Sequence, residues 1–304
     1  MISCRRFSSR FVELIGKRRH HASRGLAFKD GGTEMPKAAT NTSAALLGAG
    51  DPPAFTLVNP LGRAKVLLVC DHASRAVPAA LADLGLADSE LAKHVGWDIG
   101  AAALTHELSR RWDAPAVLSG YSRLVVDCNR VLGDPTSMPA VSDGIRVPAN
   151  EGLPAEQAAA RADACYWPYH AAVAAALDRF AAAGVAPAVI SMHSFTPQMN
   201  GFDRPWHVGV LWDQDPRLSV PLIANLARLH GLTVGDNEPY SARGPHGFTL
   251  RHHVIPRGLP SVLLELRQDE VGTDEGVARY ADYLETAFAP ILADLALYRP
   301  ALYL

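Results

Sequence analysis

The sequence predicts an α/β chain, a three-layer αβα sandwich around a mainly parallel or mixed central sheet. Three observations carry this. Short, continuous apolar runs of strand length recur at Lys65–Cys70, Pro187–Met192 and Pro260–Glu265, as in strands buried on both faces. Stretches of helical period separate them, and strands alternating with helices build such layers. The apolar runs also end in clusters of polar side chains. In open α/β sheets, ligands bind outside the carboxyl ends of the strands.

In chain order, the run at residues 65–70 is the first strand, and residues 88–111 read as a helix with Asp88 or Ser89 as N-cap. Residues 116–118 and 124–127 follow as strands, and the Pro/Asp/Ser/Gly-rich stretch 134–154 as a loop. An Ala-rich helix is expected over 154–183, strands at 187–192 and 207–212, a helix over 220–230, and a short strand at 232–234. A strand at 260–265 and a helix over 274–297 close the chain.

The 304 residues carry 29 Lys and Arg against 31 Asp and Glu, a net charge of −2. No global field points to nucleic acid or an anionic membrane, and no apolar run reaches the roughly 18–20 residues of a membrane span. The four cysteines, Cys4, Cys70, Cys128 and Cys165, form no CxxC pair. Buried thiols in a reducing cytoplasm are the expectation. Residues 1–50 read as a disordered basic extension and linker. A transit-peptide-like segment, or sequence upstream of a start at Met35, would give the same Arg- and Ser-rich, acid-poor stretch. Residues 55–304 read as one domain.

Candidate site residues gather at the strand ends. His72 and His193 each follow an apolar run, and imidazole is the commonest metal ligand. A hydrolytic zinc site takes three protein ligands, so a carboxylate should complete the set: Asp98 is the first choice, with Asp71 and Asp127 open. Asp71 could instead orient a ligating histidine. Glu265 ends a buried run, where a lone carboxylate is costly; it is a candidate general base, or else an ion-pair partner of Arg267 or Arg123. Arg123 could polarise a carbonyl, and Asn129 and Arg130 could hold a carboxylate. Arg267 and Tyr240 are further candidates for substrate contact. His246, His252 and His253 read more readily as polar loop residues.

Taken in order, the segments CDHASRAVP (70–78), HVGWDIGA (94–101), SRLVVDCNR (122–130), ISMHSF (190–195), DNEPYS (236–241) and LLELRQD (263–269) resemble the N-formylglutamate amidohydrolase family. The family is itself similar to zinc carboxypeptidases and zinc-dependent cell-wall amidases. The resemblance implies a zinc-exopeptidase-like fold, one Zn2+ or another divalent ion, and hydrolysis of a small-molecule N-acyl amino acid. N-formyl-L-glutamate, cleaved to formate and glutamate in histidine degradation, is the expected substrate. It implies His72 and His193 as ligands, Glu265 as base, Arg123 against the carbonyl oxygen, and Asn129–Arg130 on the substrate carboxylate. Two departures stand out. The Glu that zinc carboxypeptidases carry three residues after the first histidine is Arg75 here, and the family's frequent His-Ser-Gly is His72-Ala73-Ser74. Rival readings are an amidase for another N-acyl amino acid or peptide, a non-catalytic carboxylate-binding protein, and a Ser or Cys hydrolase, the last without a GxSxG motif.

Overall fold

The computed structural model describes residues 46–244 and 247–303; the expectations for residues 1–45 and for His246 lie outside them. Seven strands form one sheet: β1 (Phe55–Val58), β2 (Val66–Cys70), β3 (Ala116–Ser119), β4 (Ala188–Phe195), β5 (Val208–Leu211), β6 (Val234–Asp236) and β7 (Ser261–Arg267). Their order is β1-β3-β2-β4-β7-β5-β6. The central four, β3, β2, β4 and β7, are mutually parallel. β1 runs antiparallel to β3, and the parallel pair β5–β6 runs antiparallel to β7.

The central strands are mainly apolar because both sheet faces are covered there. In β2, Val66, Leu68 and Cys70 join one core, with the helices α1 (Ala101–Trp112), α3 (Pro216–Leu226) and α4 (Asp274–Leu292). Leu67 and Val69 point the other way, against Tyr166, Tyr169, Val173 and Leu177 of the long helical segment that ends in α2 (Trp167–Ala182). These are the three layers expected. The helices start where the sequence offers caps. Asp215 accepts from Arg217 N at 3.0 Å ahead of Pro216, and Thr273 accepts from Gly276 N at 3.1 Å ahead of Asp274.

Three expectations fail locally. Residues 124–127 form turns, not a strand. Leu124, Val125 and Val126 are buried, but the carbonyls of the first two are met by side chains: Asn150 Nδ2 donates to Leu124 O at 2.9 Å, and Arg161 Nη1 to Val125 O at 3.4 Å. The apolar run signalled burial, which two buried polar side chains make affordable without a ladder. The helix read over 88–111 is broken into Asp88–Leu91 and α1. Gly100 sits at φ +82°, where a Cβ would lie 2.2 Å from Val271 O. Only glycine turns the chain into α1 there, so Asp98 stands in a turn ahead of the helix, not inside it. Finally, β4 continues to Phe195, which places His193 within the strand rather than after it.

Candidate active site

The carboxyl ends of β2, β4 and β7 open into a cavity of about 380 Å³. His72 follows β2. Asp98 is tied to it through the backbone, with Asp98 N donating to His72 O at 3.0 Å. Across the sheet, Glu265 of β7 is the register partner of His193 of β4, and neighbours in register project to the same face.

His72, Asp98 and His193 converge and are all buried. Asp98 Oδ2 lies 3.3 Å from His72 Nδ1 and 2.9 Å from His193 Nδ1, and the two Nδ1 atoms are 3.2 Å apart. The opposite nitrogens face carboxylates: His72 Nε2 is 2.7 Å from Asp127 Oδ1, and His193 Nε2 is 3.1 Å from Asp71 Oδ2. An ionised carboxylate only accepts, so each Nε2 carries a proton and each Nδ1 is the ring nitrogen left to face Asp98, as a lone-pair donor once the ring is neutral. Three lone pairs around one point are repulsive unless a cation sits among them. A tetrahedral ion with bonds of about 2.0–2.1 Å needs donors roughly 3.3 Å apart, close to the spacing found. The donor set therefore fits a divalent ion.

The electrostatics agree. Burial disfavours the charged form of His193, but Asp71 and Asp98 outweigh it and hold the imidazolium pKa up at about 10. With only protons available, the site draws positive charge onto the ring, where a metal would otherwise supply it. Burial likewise works against the Asp71 carboxylate, yet His193, His72 and Thr249 hold its pKa down at about 2. Asp98 and Asp127 are also held below the ordinary carboxylate range, against their burial, by the histidines and, for Asp127, Arg123.

Asp71 and Asp127, left open as ligands by the sequence, thus stand behind the histidines. Asp71 also accepts from Tyr169 OH at 2.8 Å and Thr249 Oγ1 at 2.5 Å. Asp127 also accepts from Asn129 N at 2.8 Å and Arg123 Nη2 at 2.9 Å. Tyr169 and Thr249 escaped the sequence reading: one is a helix residue among apolar neighbours, the other follows Phe248 in a short helical turn, and neither carries a motif.

Glu265 lines the cavity with Oε2 buried and without a hydrogen-bond partner. Burial pushes its pKa up to about 7. It pairs with neither Arg267 nor Arg123. Beside it, β5 supplies Gly209, where a Cβ would meet Glu238 O at 2.2 Å. Arg123 lines the cavity and reaches Asp127 and, at 3.4 Å, Asp98 Oδ1; these carboxylates outweigh its burial and raise its pKa. Asn129 and Arg130 line it too. Asn129 Oδ1 accepts from Thr249 N at 3.2 Å, which leaves its amide nitrogen as the donor it can offer. Arg130 Nη1 donates to Asn129 O at 3.0 Å, and its buried Nε has no partner. Tyr240 lines the cavity, with its hydroxyl accepting from Arg204 Nη1 at 3.1 Å and its ring beneath that guanidinium. Arg204 was not foreseen.

Arg267 is not brought to the cavity. It ends β7 in ion pairs with Asp269 at 2.8 Å and Glu270 at 3.1 Å, acids two and three residues further along the chain. Arg75, in the place of the carboxypeptidase glutamate, is exposed and paired with Asp88. His252 and His253 lie in a π-helical turn, Leu250–Val254, against Phe248 and His170, not in the cavity lining.

Among the described residues no helix is long and apolar enough to cross a membrane. No curated protein matches the chain in sequence. The crystal structure of gene product Atu2144 from Agrobacterium tumefaciens is 35% identical over 82% of this chain and 98% of that chain, with a TM-score of 0.79. N-formylglutamate amidohydrolase from Ralstonia eutropha JMP134 shares the fold, at 21% identity over 78% of this chain and 96% of that one, with a TM-score of 0.58. The family model described as N-formylglutamate amidohydrolase matches residues 64–271, which include every residue of the site above. The chain belongs to the N-formylglutamate amidohydrolase family.

Proposed function

We propose that this chain hydrolyses the amide bond of an N-formyl amino acid, N-formyl-L-glutamate first among them, to formate and the free amino acid, a reaction of histidine degradation. His72, Asp98 and His193 would hold a zinc ion. The carrying observation is the convergence of their three lone pairs beside the unpartnered carboxylate of Glu265. The buried, unpaired cysteines Cys70, Cys128 and Cys165 accord with the cytoplasmic placement expected from the sequence.

A bound zinc supplies Lewis acidity, which acidifies a water and polarises a carbonyl oxygen. The rest falls to the chain's own side chains. Glu265 accepts the water proton as a carboxylate and delivers it to the leaving nitrogen as an acid; a pKa pushed toward neutrality suits both steps. Arg123, fixed by Asp127 and Asp98, has further N–H donors for the negative charge that develops on the carbonyl oxygen. Arg130 and the Asn129 amide bind the α-carboxylate, and Tyr240 closes one wall. The family of the chain and the formylglutamate-hydrolase name of the Ralstonia protein support this substrate.

The test is removal and restoration of metal with N-formyl-L-glutamate as substrate. Turnover should vanish on chelation and return with zinc; turnover that persists in fully stripped protein would defeat the reading. Glu265→Gln should keep the metal and lose roughly 10²–10⁴ in kcat. A non-catalytic carboxylate binder would bind N-formylglutamate but never release formate.

A further inference from the structure

The cavity does not stop at the ends of the strands. Ser261, Val262, Leu263 and Glu265 of β7 all line it. Four residues at a rise of about 3.3 Å put Ser261 roughly 13 Å from Glu265. In N-formylglutamate the formyl carbon and the side-chain carboxyl carbon are five bonds apart, each about 1.5 Å or less, so an extended molecule spans roughly 6 Å. About half of the trough lies beyond the reach of that substrate.

The far half is mainly apolar, with Gln214 and Ser261 as its uncharged polar lining residues. Leu211, Leu250, Ile255, Leu259, Leu263 and Leu302 line it. Ile255 is 43% and Leu302 69% exposed, so two large hydrophobic side chains at its rim face the solvent. The C-terminal segment that brings Leu302 here is anchored, with Ala301 N donating to Gly258 O at 2.8 Å. The charged groups at this end neutralise each other: Arg251 with Asp213 at 3.5 Å, and Arg217 with Asp215 at 2.5 Å. An extended hydrocarbon would cover the exposed apolar rim.

We propose that this trough is a subsite for a hydrocarbon chain, and that the preferred substrate is an N-acyl amino acid carrying an extended apolar group, as its acyl part or as its side chain. The inference rests on the amide-hydrolase reading of the site, and it places longer-chain N-acyl amino acids ahead of N-formyl-L-glutamate for the same reaction.

Two homologous series test it on the full, metal-loaded chain: N-formyl-L-amino acids with straight side chains from alanine to 2-aminooctanoate, and N-alkanoyl-L-glutamates from formyl to octanoyl. Burial of one methylene contributes a factor of roughly four. One series should therefore gain about fourfold in kcat/KM per methylene before levelling off, and the series that gains identifies which end of the substrate occupies the trough. Leu302→Asp and Ile255→Asp, both at the solvent-facing rim, should each cut the ratio of long-chain to short-chain kcat/KM about tenfold. Hydrolysis of N-formylglutamate with no gain in either series would overturn the subsite and leave the proposed function standing. So would a gain that both Asp variants leave intact. If no compound is hydrolysed, the function fails, and calorimetric binding of the same compounds to Glu265→Gln still decides the subsite: Kd tightening with chain length supports it, and a flat Kd overturns it.

Discussion

Each of the two cavity histidines uses one nitrogen on a carboxylate and turns the other toward Asp98, so their alignment depends on residues that never face the cavity centre. Removing such an orienting carboxylate typically costs metal affinity 10–100-fold. Asp127→Asn should weaken zinc binding by about that factor in chelator competition while the far-UV circular dichroism stays unchanged. Thr249→Val, which removes one of several donors to Asp71, should cost about tenfold or less; unaltered affinity in both variants would show that the histidines orient themselves. Glu265 must be ionised to accept a proton. With burial holding it up, kcat/KM should fall as pH drops through a value no higher than about 7, since a cation beside it moves the limb downward. His72, His193 and Glu265 were legible in the sequence because each closes an apolar run. Asp98 was one of three candidates, since a carboxylate in a turn carries no period. Arg267 was misjudged for a local reason: Asp269 and Glu270 capture its guanidinium before it can reach the cavity.

Among the elements, the turn ahead of α1 does most to place the site. It brings Asp98 under His72, and it depends on Gly100 at φ +82° against the Val271 carbonyl. A side chain in that backbone conformation costs of order 1–3 kcal/mol before any clash is counted. Gly100→Ala should therefore destabilise the chain by about 2 kcal/mol or more, read as a lowered denaturation midpoint, and should weaken metal binding because Asp98 moves with the turn. A lower midpoint with unchanged metal affinity would separate the turn from the site. Helical period alone could not show this break, because apolar residues continue on both sides of it. The same limit explains residues 124–127: Asn150 and Arg161, distant in sequence, satisfy the carbonyls that a sheet neighbour would otherwise bind.

Across the whole molecule, polar groups buried between the layers set how the fold responds to acid. His170 Nδ1 lies 3.0 Å from His253 Nε2, and burial holds their pKa values down at about 4 and about 3. Their unfolded value is 6.5. Depressed histidines contribute stability that is complete above the unfolded value and is lost as pH falls from there toward the folded values. The Tm of the protein should thus decline between about pH 6.5 and pH 4, and His253→Gln should lose less over that interval than the parent chain. Equal losses would place the acid sensitivity elsewhere. The sheet itself is less sensitive to pH and more to volume. Leu68→Ala or Leu264→Ala, each fully buried in the core under α1, α3 and α4, should cost about 2–5 kcal/mol by denaturant titration.

The sequence by itself determined the layers, the parallel core of the sheet, and the gathering of polar residues at its carboxyl edge. Those follow from apolar period and from where each run stops, which are local properties of the chain. Only the tertiary structure decided which carboxylate completes the histidine pair, which ones stand behind it, and which arginine stays out. Residues 26 and 121 positions apart meet within 3.3 Å of His72 Nδ1. Contacts of that kind are set by strand register and by a left-handed turn at a glycine, and no pattern of hydrophobicity along the chain encodes a distance of 3 Å.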